Sequence, residues 1–167
     1  EDQFLAGVAF TDLQPVHSVE YLPTAIAKAL GVALAGQEEP SQQLLRQLRD
    51  CHLLLVIDNF EHLLDGVCLL ADAVQEAPQV KLLVTSRQPL NLRAEWRWIM
   101  QGLTYPIPGT EGTEASDAVQ LFEASARQTQ PDFSLADELP HVVRICQLVE
   151  GMPLALELAA SWLHTLP

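Results

Sequence analysis

The sequence predicts an α/β protein, in which a parallel sheet with flanking helices is followed by a small helical subdomain. Two apolar runs, residues 53–57 and 80–84, favour strands. The first lacks polar alternation, which fits a strand covered on both faces; the alternative for so short a run is part of a buried helix. An amphipathic stretch lies between them and provides the crossover that parallel neighbours require. Beyond residue 113, apolar residues recur at helical spacing. Strand, helix, strand and then helices is therefore the predicted order.

The composition is that of a folded globule rather than a disordered chain. The 167 residues are 49% hydrophobic and 19% charged, which is enough for one ordinary domain or a domain with a small appendage. No apolar run approaches the length of a membrane span and no basic-then-apolar leader opens the sequence, so we expect a soluble, cytoplasmic protein without membrane contact. The net charge of −13 argues against direct contact with nucleic acid.

The three cysteines, Cys51, Cys68 and Cys146, have no paired spacing, so neither a disulfide framework nor a zinc site is indicated. Cys68 and Cys146 fall on apolar helical faces. We therefore predict that both lie in the core.

The first half of the chain begins with a predicted strand over residues 5–12, weakened by Gly7. A helix over residues 22–30 follows, with Pro23 in its first turn and Gly31 just after its last apolar repeat. A second helix is predicted over residues 41–50, with Ser41 as its cap. It leads into the central strand.

The segment 95–100 alternates and carries two tryptophans, which favours a further strand. Prolines and glycines then mark a linker over residues 106–113. It separates an α/β domain, residues 1–105, from a helical subdomain, residues 114–167. In that subdomain we predict three helices, the second ended by Gly151 and the third opened by Pro153.

The carboxyl ends of the two central strands hold charged residues that suit a phosphate group and its magnesium ion. Asp58 and Asn59 follow the first apolar run and Arg87 follows the second, and ligands of open parallel sheets collect at this edge. A carboxylate binds a hydrated cation, and a guanidinium binds phosphoryl oxygens. The alternative is structural: Asp58 caps the next helix and Arg87 is a solvated loop residue.

Three motifs carry a family resemblance: LLLVIDNFEH at 53–62, LLVTSRQPL at 82–90 and EGMPLALELAA at 150–160. In this order and spacing they resemble the STAND-class P-loop ATPases, the NB-ARC-like module of large LuxR-like and SARP-like bacterial transcriptional regulators. The resemblance covers essentially the whole chain. It implies a P-loop-type sheet and a regulatory module that binds ATP or ADP with magnesium and oligomerises. It also implies that the longer parent protein is a slow ATPase.

The resemblance assigns roles to individual residues. Asp58 would be the Walker B acid that orders magnesium through water, and Arg87 the sensor arginine that contacts the terminal phosphate. Pro153 would lie against the nucleotide base, with Gly151 allowing the turn before it. Asn59 stands where relatives have a second acid, which leaves Glu61 as a possible substitute base; its place in a first helical turn is also explained by the helix dipole.

The family's phosphate-binding sequence, Gly-x-x-x-x-Gly-Lys-[Ser/Thr], does not occur in this chain. The sheet is therefore expected to be a truncated one that opens at the family's second strand, with the phosphate-binding loop upstream in a longer protein. Without that loop we expect this chain alone to bind nucleotide poorly, so that none stays bound to it, and we expect no catalysis by it; micromolar ATP affinity would contradict this. We also expect the edge of strand 80–85 to be covered by residues 95–100 or by a second copy of the chain.

Two other functions remain open from the sequence. The chain could be a protein-interaction scaffold without nucleotide chemistry, contacting copies of itself or other domains of its parent. It could also be a metal-dependent hydrolase that uses Asp58, Glu61 and His62, although residues on one helical turn converge poorly on one ion.

Overall fold

The computed structural model describes residues 4–107 and 116–164, and its contacts divide the chain into one unit up to Arg97 and another from Trp98. Residues 108–113 of the predicted linker lie outside the described residues. So do Glu114 and Ala115, the first two residues of the predicted helical subdomain. The predicted α/β class is confirmed, with a parallel sheet in the first unit and helices in the second.

The sheet of the first unit has three parallel strands in the order β1, β2, β3. These are β1, Val8–Asp12; β2, Leu54–Asp58; and β3, Lys81–Val84. The two apolar runs are thus confirmed as neighbouring parallel strands. The first strand starts later than predicted, because Gly7 has a φ of +81° and its amide bonds back to the Phe4 carbonyl at 2.9 Å. This turn takes Gly7 out of the extended conformation, although its carbonyl still accepts from the Leu54 amide at 3.1 Å.

Two helices connect β1 to β2: α1, Leu22–Ala29, and α2, Pro40–Leu48. Gly31 ends α1 as predicted; it has a φ of +69°, and the Val32 amide donates to the Ala27 carbonyl at 2.9 Å. The predicted cap Ser41 is wrong. Pro40, which needs no amide partner in the first turn, already begins α2, so the cap position falls on Glu39.

A 3-10 helix, Phe60–Gly66, and α3, Val67–Glu76, connect β2 to β3. Cys68 on α3 is exposed, so its predicted place in the core is wrong. The buried residues of α3 are Leu69, Leu70 and Ala73, and Cys68 lies outside that stripe.

The core of the first unit lies against one face of the sheet. Leu55 and Ile57 of β2 are buried in it, together with residues of all three helices. The alternate strand residues Val8, Phe10 and Leu83 point to the opposite face and are more than half exposed. The sequence predicted coverage on both faces; within the described residues only one face carries a buried core.

The predicted strand over residues 95–100 is wrong. This segment has no regular secondary structure, and β3 pairs with β2 alone among the described strands. Trp96 and Trp98 are 97% and 88% exposed. The alternation of charged and aromatic residues predicted a strand with one buried side. No neighbouring strand in the described part of the chain offers the hydrogen bonds that pairing requires. Coverage of β3 by a second copy stays a prediction.

The described part of the second unit has three α-helices: α4, Asp117–Thr129; α5, Leu135–Leu148; and α6, Pro153–Ser161, followed by a 3-10 turn, Trp162–His164. Its core includes Phe122, Val142, Cys146 and Leu156. The predicted burial of Cys146 and the predicted start of α6 at Pro153 are confirmed. None of the helices within the described ranges is both long and apolar enough to cross a membrane.

Candidate functional site

The carboxyl edge of the sheet brings together residues from all three strand ends. Asp12 and Asp58 are the last residues of β1 and β2 and lie opposite each other in register. Thr85 follows β3, and Arg87 comes two residues later. Two parallel neighbours must end at the same edge, so Asp58, which ends β2, and Arg87, which follows β3, both belong to that edge.

The carboxylate of Asp58 is held from two sides. The Thr85 hydroxyl donates to its Oδ1, and the Asn59 side-chain amide donates to its Oδ2 at 3.3 Å. Asp58 is half-buried. An ionised carboxylate has about four acceptor positions, so each oxygen keeps capacity for a water molecule.

Asn59 adopts a left-handed conformation, with φ of 63° and ψ of 50°. Asparagine tolerates this region better than most residues. Its Nδ2 lies 3.4 Å from Asp12 Oδ1 as well as 3.3 Å from Asp58 Oδ2, so one amide group links the two carboxylates. Asn59 also occupies the cap position of the following 3-10 helix, without a side-chain cap bond. The alternative in which Asp58 is merely that cap therefore fails.

Arg87 is highly exposed and pairs with Glu61, whose Oε1 lies 3.3 Å from Arg87 Nε. Glu61 is much more buried, with a side chain that is 23% exposed against 90% for Arg87. Such pairs at the surface contribute at most about 1 kcal/mol, so a phosphate can compete for the guanidinium. The sequence suggested Glu61 as a base; in the structure its carboxylate is engaged by Arg87.

His62 connects the 3-10 helix to the loop after β1. Its Nε2 lies 3.0 Å from the Leu13 carbonyl oxygen and 2.8 Å from that of Val16. Carbonyl oxygens only accept, so Nε2 carries the proton and is not a metal ligand. Within the described residues there is no group of three or more His, Cys, Asp or Glu side chains that could hold a metal ion. The structure thus offers no support for the hydrolase alternative.

Asp12 is a site residue that the sequence analysis missed. It is exposed, and its Oδ1 accepts from the Gln14 amide at 2.8 Å and from Asn59. The signal was present, because both β1 and β2 end in aspartate. The register that sets the two opposite each other required the sheet.

Gly151 and Pro153 belong to the second unit. Gly151 has a φ of +67°, its carbonyl accepts from the Leu103 amide at 2.8 Å, and a Cβ at this position would overlap the Leu103 carbonyl. Pro153 is exposed and lines a surface groove of about 390 Å³ with Met100, Gly102, Leu148 and Met152. Gly151 thus has a packing role of its own, while Pro153 is accessible.

The sequence of this chain is similar to parts of longer bacterial proteins. The chain is similar to "Putative HTH-type transcriptional regulator Rv0890c" of Mycobacterium tuberculosis strain H37Rv, with 31% identity over 157 residues, 93% of this chain and 17% of that protein. The Mycobacterium bovis protein Mb0914c, of the same description, has the same values. "Uncharacterized protein Rv0894" of M. tuberculosis is 32% identical over 98% of this chain and 40% of its own length.

The chain is homologous to part of these longer proteins. It spans less than half the length of each of the three. No protein-family model and no solved structure matches it.

Proposed function

We propose that this chain is a regulatory ATP-binding and oligomerisation module of a transcriptional regulator. The observation that carries the proposal is that Asp58 ends β2 and that Thr85 and then Arg87 follow β3. These residues share the carboxyl edge of two neighbouring parallel strands. This is where open α/β sheets bind their ligands. The similarity to a protein named as an HTH-type transcriptional regulator supports the regulatory part of the proposal.

Each residue of the edge has a chemical task in this proposal. Asp58 orders a magnesium ion through water, which suits a carboxylate whose two oxygens already accept hydrogen bonds from Thr85 and Asn59. Arg87 leaves Glu61 to pair with the terminal phosphate, since a guanidinium binds phosphate oxygens in a planar fork. Asn59 cannot act as a general base, so hydrolysis is slow.

The remaining phosphate contacts come from outside this sequence, which lacks a Gly-x-x-x-x-Gly-Lys-[Ser/Thr] loop. The longer relatives have the length to provide one. DNA contact also belongs elsewhere, because a chain with a net charge of −13 lacks the basic surface that the DNA backbone requires. Bound nucleotide then biases two arrangements of the parent protein, and hydrolysis resets them.

The test uses nuclear magnetic resonance of the isotopically labelled chain with Mn²⁺ and ATP, because paramagnetic broadening detects weak binding. We expect the amides of Asn59, Thr85 and Arg87 to broaden, and Asp58→Asn and Arg87→Gln to reduce the effect. Asp72→Asn, an exposed aspartate on α3, is the matched control. Calorimetry should find no micromolar affinity for ATP with magnesium. Broadening that is absent from these amides, or unchanged in Asp58→Asn, would reject the proposal.

A second candidate is a protein-interaction scaffold without nucleotide chemistry. The exposed apolar residues on one face of the sheet, among them Phe10 and Leu83 at 59% and 55% exposure, favour it. The scaffold predicts that the Asp58→Asn and Arg87→Gln variants keep every function of the parent protein, whereas the ATP-binding module predicts that both variants lose nucleotide-dependent regulation.

A further inference from the structure

Thr85 lies between the end of β3 and the two residues that follow β2. Its amide donates to the Ile57 carbonyl at 2.9 Å, and its carbonyl accepts from the Phe60 amide at 3.0 Å. These two bonds lie on either side of Asp58 and Asn59. The backbone of Thr85 is therefore fixed to the chain both before and after the candidate metal-binding carboxylate.

The direction of the hydroxyl bond of Thr85 follows from its partners. The Asn59 backbone amide lies 3.0 Å from Thr85 Oγ1 and can only donate, so the hydroxyl oxygen accepts there. A hydroxyl has a single proton, and the remaining partner is Asp58 Oδ1. Thr85 thus donates its one proton to the Asp58 carboxylate, and its β-branched side chain restricts rotation about χ1.

We propose that Thr85 is the positioning residue of the nucleotide site: its hydroxyl holds the Asp58 carboxylate in the orientation that receives the hydrated cation of a Mg²⁺·ATP complex. This rests on the function proposed above. With Oδ1 held by Thr85 and Oδ2 contacted by Asn59, the carboxylate is oriented before the cation arrives. Pre-orientation lowers the entropy lost on binding, so Thr85 contributes to cation affinity without touching the cation.

The second unit offers a matched control for this arrangement. The Thr104 hydroxyl donates to Asp117 Oδ2 at 2.9 Å and accepts from the Asp117 amide at 3.1 Å, and the Thr104 carbonyl accepts from the Ala118 amide at 3.0 Å. This is a similar threonine–aspartate pair at the start of α4, in which the hydroxyl again donates to the carboxylate and accepts from a backbone amide, here that of the aspartate itself. Thr104→Val therefore removes an equivalent hydroxyl without changing the first unit.

The experiment compares Thr85→Val, Thr85→Ser and Thr104→Val with the original chain by following chemical-shift changes during titration. One series uses ATP with Mg²⁺, and the other uses ATP with EDTA; traces of Mn²⁺ locate the cation. We expect Thr85→Val to weaken the Mg²⁺·ATP complex about tenfold, the loss of one hydrogen bond to a charged group. Metal-free ATP binding should not change. Thr85→Ser should restore the affinity, and Thr104→Val should leave it intact.

Three results would overturn the positioning role: undiminished Mg²⁺·ATP affinity in Thr85→Val, an equal loss with and without the metal, or no rescue by Thr85→Ser. An equal loss would mark a purely structural bond, and the serine variant keeps the test decisive if the valine variant folds poorly. Asp58→Asn separates the two proposals. If Asp58→Asn reduces the Mn²⁺ broadening while Thr85→Val leaves the Mg²⁺·ATP affinity unchanged, only the role of Thr85 is rejected; if Asp58→Asn leaves the broadening unchanged, both proposals are rejected.

Discussion

Residues with a left-handed backbone conformation form two turns, one directly after β2 and one between α5 and α6. Asn59, with a φ of 63°, turns the chain out of β2 and brings its side-chain amide between Asp12 and Asp58. Glu150 and Gly151, with φ of 50° and 67°, turn the chain between α5 and α6. Such conformations cost roughly 1–2 kcal/mol for residues other than glycine. Asn59 bears this cost in the conformation that places its side-chain amide between the two carboxylates. Gly151 avoids the cost because it has no Cβ.

Gly151→Ala tests the corner between α5 and α6. The new Cβ would overlap the Leu103 carbonyl in addition to the left-handed strain, so we expect the chain to lose more than about 2 kcal/mol of unfolding free energy. Gly31→Ala is the control, because its φ is +69° but no atom lies within 4 Å of the added Cβ. It should cost about 1 kcal/mol. Urea unfolding followed by circular dichroism compares them; equal losses would show that strain alone matters.

Within the described residues of the first unit, helices cover one face of the sheet and the other face is not covered by a core. The helices after β1 and β2 contribute to a core that reaches Leu55 and Ile57 on one face of the sheet. Leu54 and Val56 on the other face are half-buried, and their register partners include Val8, Phe10 and Leu83. Parallel sheets are ordinarily covered on both faces. The apolar character of this second face therefore exceeds what the first unit needs for its own core.

Replacing leucine by alanine on each face measures this difference. Leu55→Ala should cost about 2–5 kcal/mol of unfolding free energy, because it leaves a cavity in the core. Leu83→Ala, on the next strand and 55% exposed, should cost less than about 1 kcal/mol. Chemical denaturation of both variants at low protein concentration checks the expectation. A large loss for Leu83→Ala would mean that its face is covered in solution.

Each of the two units has a hydrophobic core among its described residues. Phe60 lies in the core of the first unit, and Phe122 and Cys146 lie in that of the second. Burial raises the pKa of Cys146 above its ordinary value of 9.0, because an apolar environment disfavours the thiolate. The neutral thiol thus favours the folded state below that value, and this contribution is lost as the pH rises through the folded-state pKa.

Thiol labelling can show whether the cores open independently. At pH 8, Cys146 should react with iodoacetamide far more slowly than the exposed Cys68, since its thiol is buried and its raised pKa disfavours the reactive thiolate. Phe122→Ala should accelerate labelling of Cys146, whereas Phe60→Ala should leave it nearly unchanged. Mass spectrometry of the peptides separates the two cysteines. Equal acceleration by both variants would mean that the two cores unfold as one.

The sequence by itself determined the two central strands, the helices between and after them, and the shared edge that follows from parallel strands. Local periodicity and the ends of the apolar runs carry that information. The sequence therefore predicted that Asp58 and Arg87 share one edge of the sheet. Tertiary structure alone decided that Asp12 faces Asp58, that Thr85 holds Asp58, that Glu61 pairs with Arg87, and that residues 96–100 and Cys68 are exposed. These features depend on register and on partners distant in the chain, and periodicity cannot encode which distant residue, if any, will cover an apolar side chain.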